Sequence, residues 1–257
     1  MARIAVLCGT GMDALADSIP SSITISGREF LRVDSPWGEV PANLLRISME
    51  DSTSHEIAMI QRHHGEGVVT PPHRIEHRAN VRAALSFEPD VVLSINSVGS
   101  MRPDLPPGHI ALAKHTLDLT GRVWTFHDDS ATHADMTDHF DSEISNIIAD
   151  SLKESQEIVP HVIVAQMTGP QFETPAEIYA LMNMGADVVG MTLAAEAKLL
   201  AECDCRHVGL SVSSNWAAGQ TPGDSTAEID HYAVEGLAST VHGRLWAALS
   251  SCFSTLN

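Results

Sequence analysis

Basic residues are scarce in this chain. Fifteen Lys and Arg stand against 33 Asp and Glu among 257 residues, a formal charge of −18. A protein that grips a nucleic-acid backbone needs a basic footprint, so a nucleic-acid partner is not expected. Binding to an anionic membrane surface is disfavoured for the same reason. A small anionic substrate would have to find a local positive site inside a negative overall field. Cysteines are also few: Cys8, Cys203, Cys205 and Cys252. Cys203 and Cys205 are separated by one residue, so the C-x-x-C of zinc and thioredoxin-type sites is missing; all four are expected as free, mostly buried thiols. No apolar run reaches the ~20 residues that span a bilayer. The N-terminal "MARIAVLCGTG" meets glycine after one short apolar run and reads as a first strand rather than a secretion signal. The cytoplasm is the expected location. Histidine, by contrast, is plentiful at fourteen. Yet no H-E-x-x-H occurs and no third ligand accompanies the His73/His77 pair, so no metal is expected.

What is present is an alternation of strand-like and helix-like runs. Apolar or nearly apolar stretches at 3–8, 56–61, 90–96, 109–114, 161–167, 186–191 and 207–214 predict strands, several of them covered on both faces. The segment 27–48, with a turn at Ser35-Pro36-Trp37-Gly38, predicts an antiparallel hairpin. Helical patterns fall at 76–87, 142–155, 175–184, 193–203 and 226–250. This predicts one α/β domain over 1–257: a central mixed sheet in a three-layer α/β/α arrangement. Ligands of such sheets bind at the carboxyl ends of strands.

Small polar groups gather at those ends. Thr10 lies between Gly9 and Gly11, which suits an anion cradle or a plain tight turn; the full G-x-G-x-x-G of a dinucleotide site is absent. Arg62 and His63 suit phosphate, or Arg62 is a solvated surface residue. Asn96 and Ser97 suit a sugar or an anion, or a strand-to-turn transition. In "MTGPQFETPAEI", Thr174 and Pro175 predict a helix N-cap and first position. Phe172 can stack on a flat ring. Glu173 can accept an N–H, or serve as a first-turn carboxylate. Met191 precedes Thr192, which reads as a capping threonine at a helix N-terminus, an anion site or an ordinary cap. A last apolar strand runs into Asn215, with Trp216 read as packing.

In order along the chain, "VLCGTGM", "VDSPWGEVP", "RHHGEG…PPHRIEHRAN", "NSVGSMRPDLPPGHI", "GPQFETPAEI…GADVVGMT" and "SNWAAG" resemble the trimeric purine nucleoside phosphorylase family, in its methylthioadenosine/methylthioinosine phosphorylase branch. The resemblance covers about residues 4 to 220. It implies a phosphate site of Thr10, Arg62, His63, Ser97 and Thr192, and a ribose site of Met191 and Asn96. It implies a base site of Phe172, Glu173, Asn215 and Ala217, with Asn215 and Glu173 carrying the catalysis. It further implies a homotrimer, or a dimer of trimers, in which His133 of one subunit approaches the sugar 5′ position of another. Phosphate is then a co-substrate, and no cofactor or metal takes part.

The adenine-selective branch has aspartates where this chain has Asn215 and Ala217. A 6-oxopurine presents a carbonyl and an N1–H, which match Asn215 and Glu173. The expected partner is therefore a 6-oxopurine nucleoside. Ile229 falls where hydroxyl-selective relatives place a histidine, which favours a 5′-methylthio group; His231, two residues on, leaves inosine and guanosine open. Two departures concern phosphate. "RHHG" is one residue longer than the family's R-H-G, so either Arg62-His63 or His63-His64 occupies the site, and a later motif histidine is replaced near Val68. A hydrolytic nucleosidase, or a nucleoside-binding protein without turnover, is the alternative reading.

Overall fold

The computed structural model describes all residues except 13, 50, 51, 66–68, 231–235, 238, 239 and 257. Val68 and His231 thus lie outside the described residues. The strands are β1 (Arg3–Cys8), β2 (Thr24–Val33), β3 (Val40–Ser48), β4 (Ser54–Gln61), β5 (Val91–Ser100), β6 (Ile110–Asp118), β7 (His161–Gln166), β8 (Val188–Gly190) and β9 (His207–Trp216). The helices are α1 (His77–Leu85), α2 (Ser142–Leu152), α3 (Pro175–Asn183), α4 (Leu193–Ala201) and α5 (His242–Phe253).

The alternation along β1 shows why these strands read as continuous apolar runs. Ile4, Val6 and Cys8 join a core with Ile144 and Ile148 of α2 and Leu245 and Leu249 of α5. Ala5 and Leu7 face the opposite layer, with Ala79 and Ala83 of α1 and Leu199 of α4. A strand buried on both faces has no polar face to show. Each Ile or Leu so buried contributes about 1.5–3 kcal/mol.

The sheet order is β2-β3-β4-β1-β5-β8-β7-β6-β9. β4, β1, β5 and β9 are parallel. β6, β7 and β8 are parallel to one another and run the opposite way to β5 and β9. The expected mixed α/β sheet between helical layers is present. One feature is additional: β9 also pairs with β5, so β5, β8, β7, β6 and β9 close into a ring. Val98, Val164, Val188 and Leu193 pack together in this part of the molecule.

Three features differ from the sequence reading. β9 does not end at residue 214. It continues through Asn215 and Trp216 after a bulge that leaves Ser214 unpaired, since Val98 faces Ser213 while Gly99 faces Asn215. The last helix does not begin at 226. Asp224 accepts hydrogen bonds from the Thr226 amide (2.9 Å) and hydroxyl (2.7 Å), a turn that holds this segment out of helix, and residues 227–230 are irregular. Of the four cysteines, expected mostly buried, only Cys8 and Cys252 are buried; Cys205 is half-buried and Cys203 is exposed. Among the described residues, no helix is long and apolar enough to cross a membrane.

Candidate active site

Parallel pairing brings the carboxyl ends of β4, β1 and β5 side by side: Cys8 is in register with both Gln61 and Ile95. β8 arrives antiparallel, and Gly190 packs against Val98 and the Ser97 carbonyl. These ends enclose a cavity of about 690 Å³. Thr10, Arg62, His63, Ser97, Met191, Thr192, Phe172, Glu173, Asn215, Ala217 and Ile229 all line it. Of the site residues that the resemblance implies, Asn96 and His133 do not.

Asn96, expected at the sugar, is buried instead. Its Nδ2 donates to the Ser94 carbonyl (3.1 Å) and its Oδ1 accepts from the Thr192 hydroxyl (2.8 Å). It therefore orients Thr192 from behind. Thr192 occupies the N-cap of α4, but its hydroxyl does not cap the helix. Gln166, which the sequence reading did not single out, accepts from the Ala195 amide (3.0 Å) in its place. That satisfies one of the donors left open at a helix start. His133 is exposed in the irregular stretch between β6 and α2.

Arg62 is no surface residue, since only 1% of it is accessible. Its Nε and Nη2 pair with the carboxylate of Glu196 on α4, the Nη2 contact being 2.9 Å. Nη1 donates to the Ile95 carbonyl (3.0 Å) and Nη2 also to that of Leu7 (3.1 Å). Gly9 makes room for this fork: a Cβ there would meet Nη1 at 2.7 Å and the Ile95 carbonyl at 2.6 Å. Burial opposes the charge on Glu196, but Arg62 and His77 outweigh it and hold the carboxyl well below the usual range. Glu196 carried no warning in the sequence beyond being a charge inside an apolar helical run.

His63 places Nδ1 at 2.9 Å from the Thr70 carbonyl, so Nδ1 carries the proton and donates. Burial and the Arg62 charge lower its pKa to about 4, so it is neutral near pH 7. His64 places Nε2 at 2.9 Å from Asn80 Oδ1, and Asn80 in turn donates to the Arg62 carbonyl (3.0 Å). This brace runs from the β4 end to α1.

The base-side residues are set by α3. Thr174 and Glu177 form a capping box, with the Glu177 amide to Thr174 Oγ1 at 3.2 Å and the Thr174 amide to Glu177 Oε2 at 2.7 Å. Glu173 thus precedes the cap and is not a first-turn carboxylate; Glu177 holds that place. Glu173 is half-buried, and burial raises its pKa. Phe172 is 39% exposed at the rim. Asn215 donates from Nδ2 to the Trp216 carbonyl (2.7 Å) and accepts at Oδ1 from Ser214 (3.1 Å).

Met191 lies against Gly169, whose φ is +64°. A Cβ there would overlap the Met191 sulfur and sit 3.1 Å from Pro72. Gly169→Ala is expected to displace Met191 and to cost about 1–3 kcal/mol for the left-handed backbone. Denaturant melts and the nucleoside KM, which should rise, check this.

Residues 3–250 match the phosphorylase superfamily. The chain belongs to that family. It is 35% identical over 229 residues, 89% of this chain and 82% of the other, to "Probable S-methyl-5'-thioinosine phosphorylase" of Methanosarcina acetivorans. It is 33% identical over 236 residues, 88% and 84%, to "Probable 6-oxopurine nucleoside phosphorylase" of Thermococcus kodakarensis. In fold it is similar to a methylthioadenosine phosphorylase from an antarctic soil metagenomic library, with a TM-score of 0.81, 24% identity, and 98% and 87% of the two chains covered. The resemblance read from the motifs is thereby borne out, and with it the enzyme class, a pentosyltransferase of the nucleoside phosphorylase kind.

Proposed function

We propose that the chain cleaves the N-glycosidic bond of a 6-oxopurine nucleoside with phosphate, S-methyl-5′-thioinosine before others, giving hypoxanthine and 5-methylthioribose 1-phosphate. One observation carries the base preference. Glu173 is the single carboxylate among the described residues lining the cavity, and Asn215 and Ala217 line it with no acid beside them. Glu173 accepts the N1–H of a 6-oxopurine. Adenine puts a lone pair there and leaves its amino group without a carboxylate partner, a mismatch of about 1–3 kcal/mol.

The mechanism asks little beyond placement. As the C–N bond lengthens, the sugar gains oxocarbenium character and the purine gains negative charge. Thr10, Ser97, Thr192 and the Arg62/His63 end hold phosphate under C1′, and Met191 packs on the ribose. Asn215 presents its amide to N7 and O6 of the leaving base. Positioning and fixed dipoles lower the barrier without a covalent intermediate.

Ile229, half-buried in the cavity wall, supplies the apolar contact for a thiomethyl group. The Thermococcus relative's name supports a second reading, a general 6-oxopurine nucleoside phosphorylase. In either case His133, exposed in its own subunit, serves a neighbour in a homotrimer, and the enzyme works in the cytoplasm. A phosphate-dependent panel of methylthioinosine, inosine, guanosine, adenosine and methylthioadenosine is the test. The 6-oxopurine substrates should exceed their adenine counterparts by about 5- to 150-fold in kcat/KM, the equivalent of the 1–3 kcal/mol mismatch. Comparable turnover of adenosine and inosine would sink the base assignment. A higher kcat/KM for inosine than for methylthioinosine would replace the first reading with the second.

A further inference from the structure

Sulfate and the phosphate dianion have the same charge and nearly the same shape. They differ in one hydrogen: the phosphate dianion carries a P–O–H, and sulfate has no counterpart. A site tells them apart by offering an acceptor for that hydrogen. The phosphate end of the cavity holds such an acceptor. His63 lines it. Its Nδ1 lies 2.9 Å from the Thr70 carbonyl, which can only accept, so the ring proton sits on Nδ1 and Nε2 carries a lone pair. Among the described residues, none donates to that lone pair. The tautomer is held by a loop tied to itself. The Thr70 amide donates to the His63 carbonyl (2.8 Å), and the Thr70 hydroxyl donates to that of His64 (2.6 Å). Burial and the Arg62 charge lower the His63 pKa to about 4, so the ring is neutral near pH 7.

Charge at this end does not favour one dianion over another. Arg62 is the only arginine or lysine among the described lining residues, and Glu196 meets its charge. Four of its five N–H groups are engaged by Glu196 and the Leu7 and Ile95 carbonyls. The start of α4 adds open backbone donors and a partial positive charge, which serve any tetrahedral dianion alike. What remains to discriminate is the lone pair on Nε2. We infer that His63 selects the anion: Nε2 accepts the P–O–H hydrogen, so the site prefers tetrahedral dianions that carry a hydroxyl over those that carry none. The inference rests on the phosphorylase reading of the cavity and adds which class of anion that cavity takes. No proton is taken up or released, because the hydrogen arrives on the phosphate. An anion without it turns an oxygen lone pair toward Nε2. Two acceptors facing each other away from water weaken binding by about 10-fold or more.

The test is competition against inorganic phosphate in the phosphorolysis assay at pH 8, where the anions compared are mainly dianions. Arsenate carries a hydroxyl and should compete about as well as phosphate binds. Sulfate and monofluorophosphate carry none. Monofluorophosphate keeps the phosphorus, the charge and the shape, and has fluorine in place of the hydroxyl. Each of the two should be weaker than phosphate by about 10-fold or more. His63→Ala removes the acceptor. Phosphate should then lose affinity while sulfate changes little, so that the two come within a few-fold of each other. His63→Gln, whose amide can turn a donor to the anion, should narrow the gap in the same way, and it serves if the alanine variant does not fold. Sulfate or monofluorophosphate as tight as phosphate in the wild type overturns the proposal, because His63 would then meet the anion as a donor. A hydroxyl preference that survives in both variants overturns the role given to His63. Turnover that needs no phosphate would instead overturn the phosphorylase reading itself.

Discussion

Asn215→Ala is expected to lower kcat/KM for a 6-oxopurine nucleoside by about 10²–10³-fold, the usual loss when one donor to developing negative charge is removed. The loss should fall mainly on kcat, because charge gathers on N7 and O6 only as the glycosidic bond breaks. The structure gives a reason to expect the high end. The bulge at Ser214 carries Asn215 to the cavity wall opposite Gly99. Its amide is already oriented there, between the Ser214 hydroxyl and the Trp216 carbonyl. A group held in place before the reaction costs no reorganisation during it. Steady-state kinetics with inosine and methylthioinosine measure the effect. A variant that loses only KM would show that Asn215 binds the base without assisting its departure.

Glu196→Leu is expected to destabilise the fold by about 3–5 kcal/mol. It leaves the Arg62 guanidinium charged, inaccessible and unpaired, and breaking one side of a buried ion pair costs about that much. For a chain of this size, a loss of that order corresponds to a Tm lower by roughly 10 °C. Arg62→Met combined with Glu196→Leu should recover much of the loss, because the pair also carries the cost of desolvating two ions. The pH dependence has a definite sign. The folded-state pKa of Glu196 is depressed. Its contribution is therefore fully present above the unfolded carboxyl value of about 4.3 and disappears as pH falls below it. Urea melts of the wild type, the single variant and the double variant would decide it. Equal stability of wild type and Glu196→Leu would mean that the ion pair contributes nothing net.

Both predictions concern residues that the sequence treats very differently. Asn215 stood out because it follows an apolar strand with no charge nearby, and Ala217 because of the acid it lacks. The strands too were legible. Runs such as "RIAVLC" are apolar on both faces, and only a strand sandwiched between helices needs that pattern. The capping box at Thr174 was half visible: Thr-Pro before a helical run is a local signal, and local signals survive without tertiary context.

What the sequence alone determined was which chemical groups end the strands, since strand, turn and cap are written within a few neighbouring residues. What only the tertiary structure decided was where each of those groups sends its protons. Arg62 and Glu196 are 134 residues apart, and Thr192 and Asn96 are 96 apart. Thr192 sits where a cap belongs, yet its one hydroxyl proton goes across the core to Asn96. Arg62 has the position of a phosphate ligand, yet its charge meets a carboxylate from α4. A donor has a fixed number of protons and bonds to whichever acceptor the folded chain brings within 3 Å or so. That allocation is non-local, and it is set by the way the end of β4 and β5 meet α4.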